Sequence, residues 1–260
     1  MRASSTKTSS RKGGEQAAGI IRPYRPEDRE AVRQICRRTA YRNKGSDAVF
    51  EDGEVFADYW TRYYTDFEPE SCLVVEEDGE VVGYLLGCRD TARFIRVMSR
   101  RIVPAALGRA FWRLATFRYR KPSTRRMIYW LVTRGWREAP EIPIDRFPAH
   151  YHCNILRKGF GKGYYSRLVL LFLDQLDREG VPGLHGQIEE AESGGPWRQM
   201  VEKYVASTGG TFELELFSEK ASTFQSYVLG VDRSMVNRAW GGTIHDYRRW
   251  MSWTGETFRL

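Results

Sequence analysis

Three glycines at alternate positions, Gly159, Gly161 and Gly163, stand with Lys158 and Lys162 between the run "HYHCNIL" and the leucine-rich stretch "YYSRLVLLFLDQLDREG". A loop entering a helix presents unpaired N–H groups and the positive end of the helix dipole. Glycines let the backbone approach a ligand closely, so the stretch suits a phosphate or pyrophosphate, with a turn serving packing alone as the alternative. The spacing is wrong for an ATP loop, because Leu156 lies five positions before Gly161 and Lys162 precedes Gly163 rather than Ser or Thr. A dinucleotide fingerprint needs G-x-G-x-x-G near the first strand of its fold; here G-x-G-x-G follows a hairpin in mid-chain. That reading survives as a rival, with Glu189 as its ribose-binding acid.

The elements around the loop must position it. "GIIRP" reads as a short strand turning at Pro23 and Pro26 into a helix with Ala31, Val32, Ile35 and Cys36 on one face. Val55, Phe56, Tyr59, Trp60 and Tyr63 predict a second amphipathic helix, and "SCLVVEEDGEVVGYLLGC" an antiparallel hairpin turning at Asp78-Gly79. "RFPAHYHCNIL" is a strand whose His150, His152 and Asn154 share one side. Helix 164–180 is capped by Gly180, and "VPGLHGQI" is the next strand, making a βαβ-type unit with parallel, adjacent strands. "GPWRQMVEKYVASTGG" is a shorter helix. "TFELELF" alternates strictly, and "TFQSYVLGV" is taken as its antiparallel partner. Residues 233–260 yield no definite assignment.

In order and in motif the chain resembles the GCN5-related N-acetyltransferase superfamily, whose acetyl-coenzyme A loop reads roughly Q/R-x-x-G-x-G/A. Lys158, Gly161 and Gly163 take the pattern positions, with Lys in place of Gln or Arg. "IRPYRPEDREAV", "LVVEEDGEVVGYLLG", "PAHYHCNIL" and "GVPGLHGQI" extend the likeness over about residues 20–90 and 145–230. The resemblance implies an α/β (α+β) fold: a mixed, mostly antiparallel central sheet, with a parallel strand pair flanking a V-shaped coenzyme A cleft and helices on both faces. It implies an acetyl-CoA-dependent N-acetyltransferase (an acyltransferase) in which an acceptor amine attacks the thioester directly, without a metal. Pantetheine would run along Asn154, Ile155 and Leu156. The loop of Lys158, Gly159, Phe160, Gly161, Lys162, Gly163 and Tyr164 would hold the pyrophosphate, and an N–H near Asn154 or Ile155 the oxyanion.

On the face shared with His150 and Asn154, His152 is the candidate base or substrate anchor, with hydrogen-bonded histidines that orient neighbouring loops as the alternative. Tyr204 is the candidate acid for the thiolate, or a packed aromatic. Glu190, with Glu189 and Glu192 after the strand, is a candidate base or anchor for a cationic acceptor, or a solvated loop acid. The acceptor is a small-molecule or peptide amine of unspecified identity. A nucleic-acid-binding module and a coenzyme-binding module without catalysis are the alternative functions.

The net charge of +8 is concentrated: fourteen Lys and Arg between Arg89 and Arg137 face Asp90 as the sole acid. Residues 91–143 read as a basic, aromatic helical insertion between the third and fourth strands. It is either a set of solvated Arg faces, or a lid over the acceptor site, or, least favoured, a nucleic-acid surface. Residues 1–19 read as a disordered tail or a mitochondrial-type presequence, and 20–260 as one acyltransferase-like domain. Cys36, Cys72, Cys88 and Cys153 form no C-x-x-C pair, so neither zinc nor a disulfide scaffold is suggested. With no apolar run of about 18 residues, the expectation is a cytoplasmic protein with no membrane association, monomeric or homodimeric.

Overall fold

The computed structural model describes residues 19–209 and 214–258; the tail expected over 1–19 lies, but for Gly19, outside them. Strand β1 (Ile20–Pro23) leads through Pro26 to α1 (Arg29–Asn43) and α2 (Gly53–Phe67), then to β2 (Cys72–Glu77) and β3 (Glu80–Cys88). Between β3 and β4 (His150–Ile155) run α3 (Thr91–Val97), α4 (Val103–Ala115), α5 (Pro122–Trp130) and the short α6 (Trp136–Glu138). The glycine loop then enters α7 (Tyr164–Arg178), followed by β5 (Gly183–Ala191), α8 (Pro196–Thr208), β6 (Glu215–Ser222), β7 (Met235–Thr243) and α9 (Ile244–Phe258).

Local chemistry explains the first half. Asp78 and Gly79 both have positive φ, 50° and 77°, the geometry of a two-residue turn whose twist matches its strands. Asp52 caps α2 by accepting from the Val55 N–H at 3.2 Å. The strand pleat then divides two cores: Val74, Tyr84 and Leu86 pack against α1 and α2, whereas Val75, Val82 and Leu85 pack against α7. Leu168, Val169, Phe172, Leu173 and Leu176 of α7 are wholly buried.

The chain forms two antiparallel sheets rather than one mixed sheet, ordered β1-β2-β3-β4 and β5-β7-β6. In place of the expected parallel pair, β4 and β5 meet in a single parallel bridge at Ala149 and Leu184. Ala149 N–H donates to Gly183 O at 3.3 Å, and His185 N–H donates to Ala149 O at 2.9 Å. Among the described residues no further bridge joins them.

Two sequence expectations fail in the second sheet. "TFQSYVLGV" is not a strand: Phe224–Val228 form a π-helical turn, and the true partner of β6 is β7, from the unassigned tail. Phe224, Tyr227 and Val228 have helical, not alternating, spacing, which suits the turn they form. Of "TFELELF", residues 211–213 lie outside the described residues. β5 also runs on to Ala191, carrying Glu189 and Glu190 inside the strand rather than on a loop.

Candidate functional site

Pairing with β3 decides which backbone groups of β4 are available. Leu156 N–H donates to Val82 O at 2.8 Å, and the register pairs Asn154 with Tyr84 and His152 with Leu86. Because the ladder alternates, residues 150, 152, 154 and 156 turn their N–H and C=O groups toward β3, whereas Tyr151, Cys153 and Ile155 turn theirs to the other edge. On β5 the bridge at Ala149 sets the opposite phase, so Gln187 and Glu189 direct backbone groups toward β4. The expected trio is therefore split: Ile155 presents its backbone to the space between the strands, Asn154 and Leu156 do not, and Cys153 and Tyr151 join it. No local signal could have found this phase.

The glycine loop follows directly. Residues Arg157–Gly159 make one 3-10 turn, and a Cβ on Gly159 would lie 2.8 Å from Ile155 Cγ2. Gly161 and Gly163 take φ of 73° and 71°, a conformation that side chains resist. Open space lies in front of Gly161, and the first-turn N–H groups of α7 have no intrahelical partner. Both lysines are already engaged: Lys158 Nζ is 2.6 Å from Glu80 and Lys162 Nζ 2.8 Å from Glu77. Lys162 and the Tyr164 hydroxyl hold the Glu77 carboxyl below the usual carboxylate range. Tyr164 in turn accepts from Gly19 N–H at 2.9 Å. With both lysines carrying carboxylate partners, an anion here would be met first by main-chain N–H groups.

The side chains of β4 divide by parity. His150 is fully satisfied. Thr91 donates its hydroxyl proton to Pro148 O at 2.6 Å, so the Thr91 oxygen accepts from His150 Nδ1–H at 2.7 Å, while Tyr64 O–H donates to Nε2 at 3.1 Å. Burial, with His185 and His152 nearby, lowers its pKa to about 3. This is an orienting histidine tying α2 and α3 to β4. His152 is different. Its ring stacks on Trp60 at 5.3 Å, and Nε2 accepts from the Asn154 amide at 3.2 Å, the same amide donating to Tyr84 Oη at 2.8 Å. Its Nδ1 is buried without a partner among the described residues. Burial lowers the pKa to about 4, so the ring is neutral, and with Nε2 accepting, Nδ1 carries the proton. His152 is thus set to donate rather than accept.

Expected base Glu190 and expected acid Tyr204 lie in other surroundings. Glu190, 2% exposed, forms an ion pair with buried Arg238 of β7 and accepts from Trp197 N–H at 3.3 Å. Tyr204 is buried on α8, edge-on to Trp253 at 5.1 Å. Neither is brought beside His152. By strand parity Glu189 shares a face of β5 with Gln187 and His185, and the His185 ring lies 5.2 Å from that of His150. Glu189 accepts from Ser222 Oγ at 2.5 Å and Gln225 Nε2 at 2.9 Å, and forms no ion pair among the described residues. Its charge, after burial, helps raise the pKa of the Tyr41 phenol. Tyr41 stacks on Phe224 at 6.2 Å, and Trp130 of the insertion meets Phe224 edge-on at 5.2 Å. These aromatics wall the same side.

The insertion is strapped across that wall. Asp52, almost fully buried, takes Arg113 at 2.9 Å, Arg109 at 3.3 Å and the Tyr119 hydroxyl at 3.1 Å. At its far end Glu138 accepts from Thr223 N–H at 2.8 Å and Trp130 Nε1 at 3.2 Å, and its carbonyl accepts from Asn237 Nδ2 at 3.0 Å. The insertion therefore reaches from α2 to the second sheet.

No family model matches the chain. Among solved structures, SsHAT is similar at 27% identity and a TM-score of 0.59, over 87% of this chain and 98% of that one. An N-acetyltransferase from Staphylococcus aureus Mu50 is similar at 12% identity and TM-score 0.46, over 87% and 98% of the two chains. The structure of yncA from Salmonella typhimurium, solved with its cofactor acetyl-CoA, is similar at 14% and 0.40, over 87% and 94%. The likeness to SsHAT is one of fold over most of both chains.

Proposed function

We propose that the protein is an acetyl-CoA-dependent N-acetyltransferase. One observation carries this reading: the backbone edge at Tyr151, Cys153 and Ile155, without a strand partner among the described residues, leads straight into a left-handed glycine loop and the N-terminus of α7. An extended diamide such as pantetheine needs a free strand edge, and the pyrophosphate attached to it needs a cluster of N–H donors at the edge's end. Gly159, Gly161 and Gly163 supply room for close approach, so the residues fit the group. The parting of β4 from β5 beyond Ala149 supports a coenzyme cleft between them.

The acceptor would enter on the side of His152 and Glu189. Its amine nitrogen forms a bond to the thioester carbon while the C–S bond breaks, the electron pair leaving on the thiolate sulfur. A backbone N–H of Cys153 or Ile155 stabilises the oxyanion. We assign Glu189, in place of Glu190, to hold the acceptor's ammonium and take its proton, directly or through water, and His152 to orient the acceptor through Nδ1–H. Proximity supplies most of the rate.

Differential scanning with acetyl-CoA, ATP and NAD, followed by an amine-acceptor screen with thiol detection, tests this. Acetyl-CoA alone should raise Tm, Gly161→Glu should abolish the rise, and Glu189→Gln should keep the rise but lose turnover. Stabilisation by NAD alone would overturn the coenzyme assignment. A shift with acetyl-CoA and no transfer to any amine would leave a non-catalytic coenzyme-binding module.

A further inference from the structure

Helix α4 turns an apolar stripe to solvent. Pro104, Ala105, Gly108, Phe111, Trp112 and Ala115 are all exposed, and at about 100° per residue they fall within about 120° of one helix face. None is charged. Phe111 and Trp112 are 47% and 53% exposed, and Phe117 in the following turn is 89% exposed at a φ of 54°, where a bulky side chain is rarely found. The opposite face is accounted for: Ala110 is buried, and Arg109 and Arg113 pair with Asp52. The stripe is thus a second apolar surface on a helix whose packing is already satisfied.

Its surroundings are cationic. Arg100, Arg101 and Arg118 flank the stripe and form no salt bridge among the described residues; Arg118 lies over the Trp112 ring at 4.7 Å, and Arg101 over Phe67 at 5.7 Å. A second copy would bring like charge to like charge. A nucleic acid would use the arginines and aromatic rings but leave the Pro104, Ala105, Gly108 and Ala115 surface against phosphates. An anionic bilayer uses both: the apolar ridge enters the acyl boundary, aromatic rings sit at headgroup depth, and the arginines meet lipid phosphates. No helix among the described residues is long and apolar enough to cross a membrane, so the contact lies in the interface plane.

We propose that the outer face of α4, with the turn through Phe117, is a docking surface for anionic lipid membranes. It is independent of the acetyltransferase assignment. Co-sedimentation of the full chain with phosphatidylcholine vesicles, with and without about one third phosphatidylglycerol, tests it. Binding should require the anionic lipid, weaken in high salt, and fall roughly tenfold or more in Trp112→Ser/Phe117→Ser. A thermal melt of that variant, unchanged because both side chains face solvent, separates lost docking from lost folding. No binding to anionic vesicles, or binding indifferent to the double substitution, would overturn the proposal. Tight oligonucleotide binding without vesicle binding would reassign the surface to nucleic acid.

Discussion

In the first sheet each strand pairs with its neighbour in the chain, whereas in the second the last strand, β7, lies between β5 and β6. The first is held by apolar faces on both sides and a two-residue turn. The second carries, inside it, an ion pair between Glu190 and Arg238 whose side chains are 2% and 4% exposed. A carboxylate can occupy that interior because β7 brings a guanidinium to it from 48 residues away. Sheets assembled from local signals tolerate loss of a turn; sheets assembled from distant strands depend on side chains that meet only when folded.

The largest effect expected from breaking this contrast is in the second sheet. Glu190→Ala removes one of two carboxylate partners of buried Arg238, leaving Glu219 at 2.5 Å, and should cost about 3 kcal/mol in guanidinium unfolding. Glu190→Leu with Arg238→Met should cost much less than the single change; equal losses would remove the buried pair as the explanation. In the first sheet, Gly87→Ala drives a Cβ into the Phe172 ring and to 2.5 Å from Ser71 O, with an expected loss of about 1–3 kcal/mol.

Acid should expose the strand between the sheets. His150 and His152 have folded pKa values lowered to about 3 and about 4, against 6.5 when unfolded. Between those limits the unfolded chain binds more protons, so stability rises with pH through the window and is lost as pH falls from about 6.5 toward 4. Tm measured across that range should slope less steeply in His150→Gln; an unchanged slope would place the acid sensitivity elsewhere. The smallest effect belongs to the turn: Gly79→Ala, at φ 77°, should cost about 1 kcal/mol by chemical denaturation, without altering acetyl-CoA binding.

Legibility followed the distance over which each feature is determined. The hairpin at Asp78-Gly79, the helix after the loop and the common face of His150, His152 and Asn154 depend on dihedral preference and on periods of 2 and 3.6, which a short window contains. The surroundings of the proton-transfer candidates depend on contacts that no short window contains. Glu190 and Glu189 are adjacent and chemically identical in sequence, yet the pleat sends one into an ion pair with Arg238 and the other to Ser222 and Gln225 on the opposite face. Tyr204 stands out only by its helix position, and its neighbour Trp253 comes from a segment with no readable pattern.

The sequence by itself determined the glycine loop, its left-handed positions, the helix that follows and the concentration of positive charge in the insertion. Tertiary structure decided which edge of β4 is free, because Leu156 pairing to Val82 sets an alternation that puts Cys153 and Ile155, not Asn154 and Leu156, on the open side. It also decided that the loop lysines meet Glu77 and Glu80, and that of the two adjacent acids Glu190 meets Arg238 while Glu189 meets Ser222 and Gln225. Those outcomes rest on strand phase and on contacts across tens of residues, and a shift of one residue in pairing would exchange the free edge of β4 and the faces of Glu189 and Glu190.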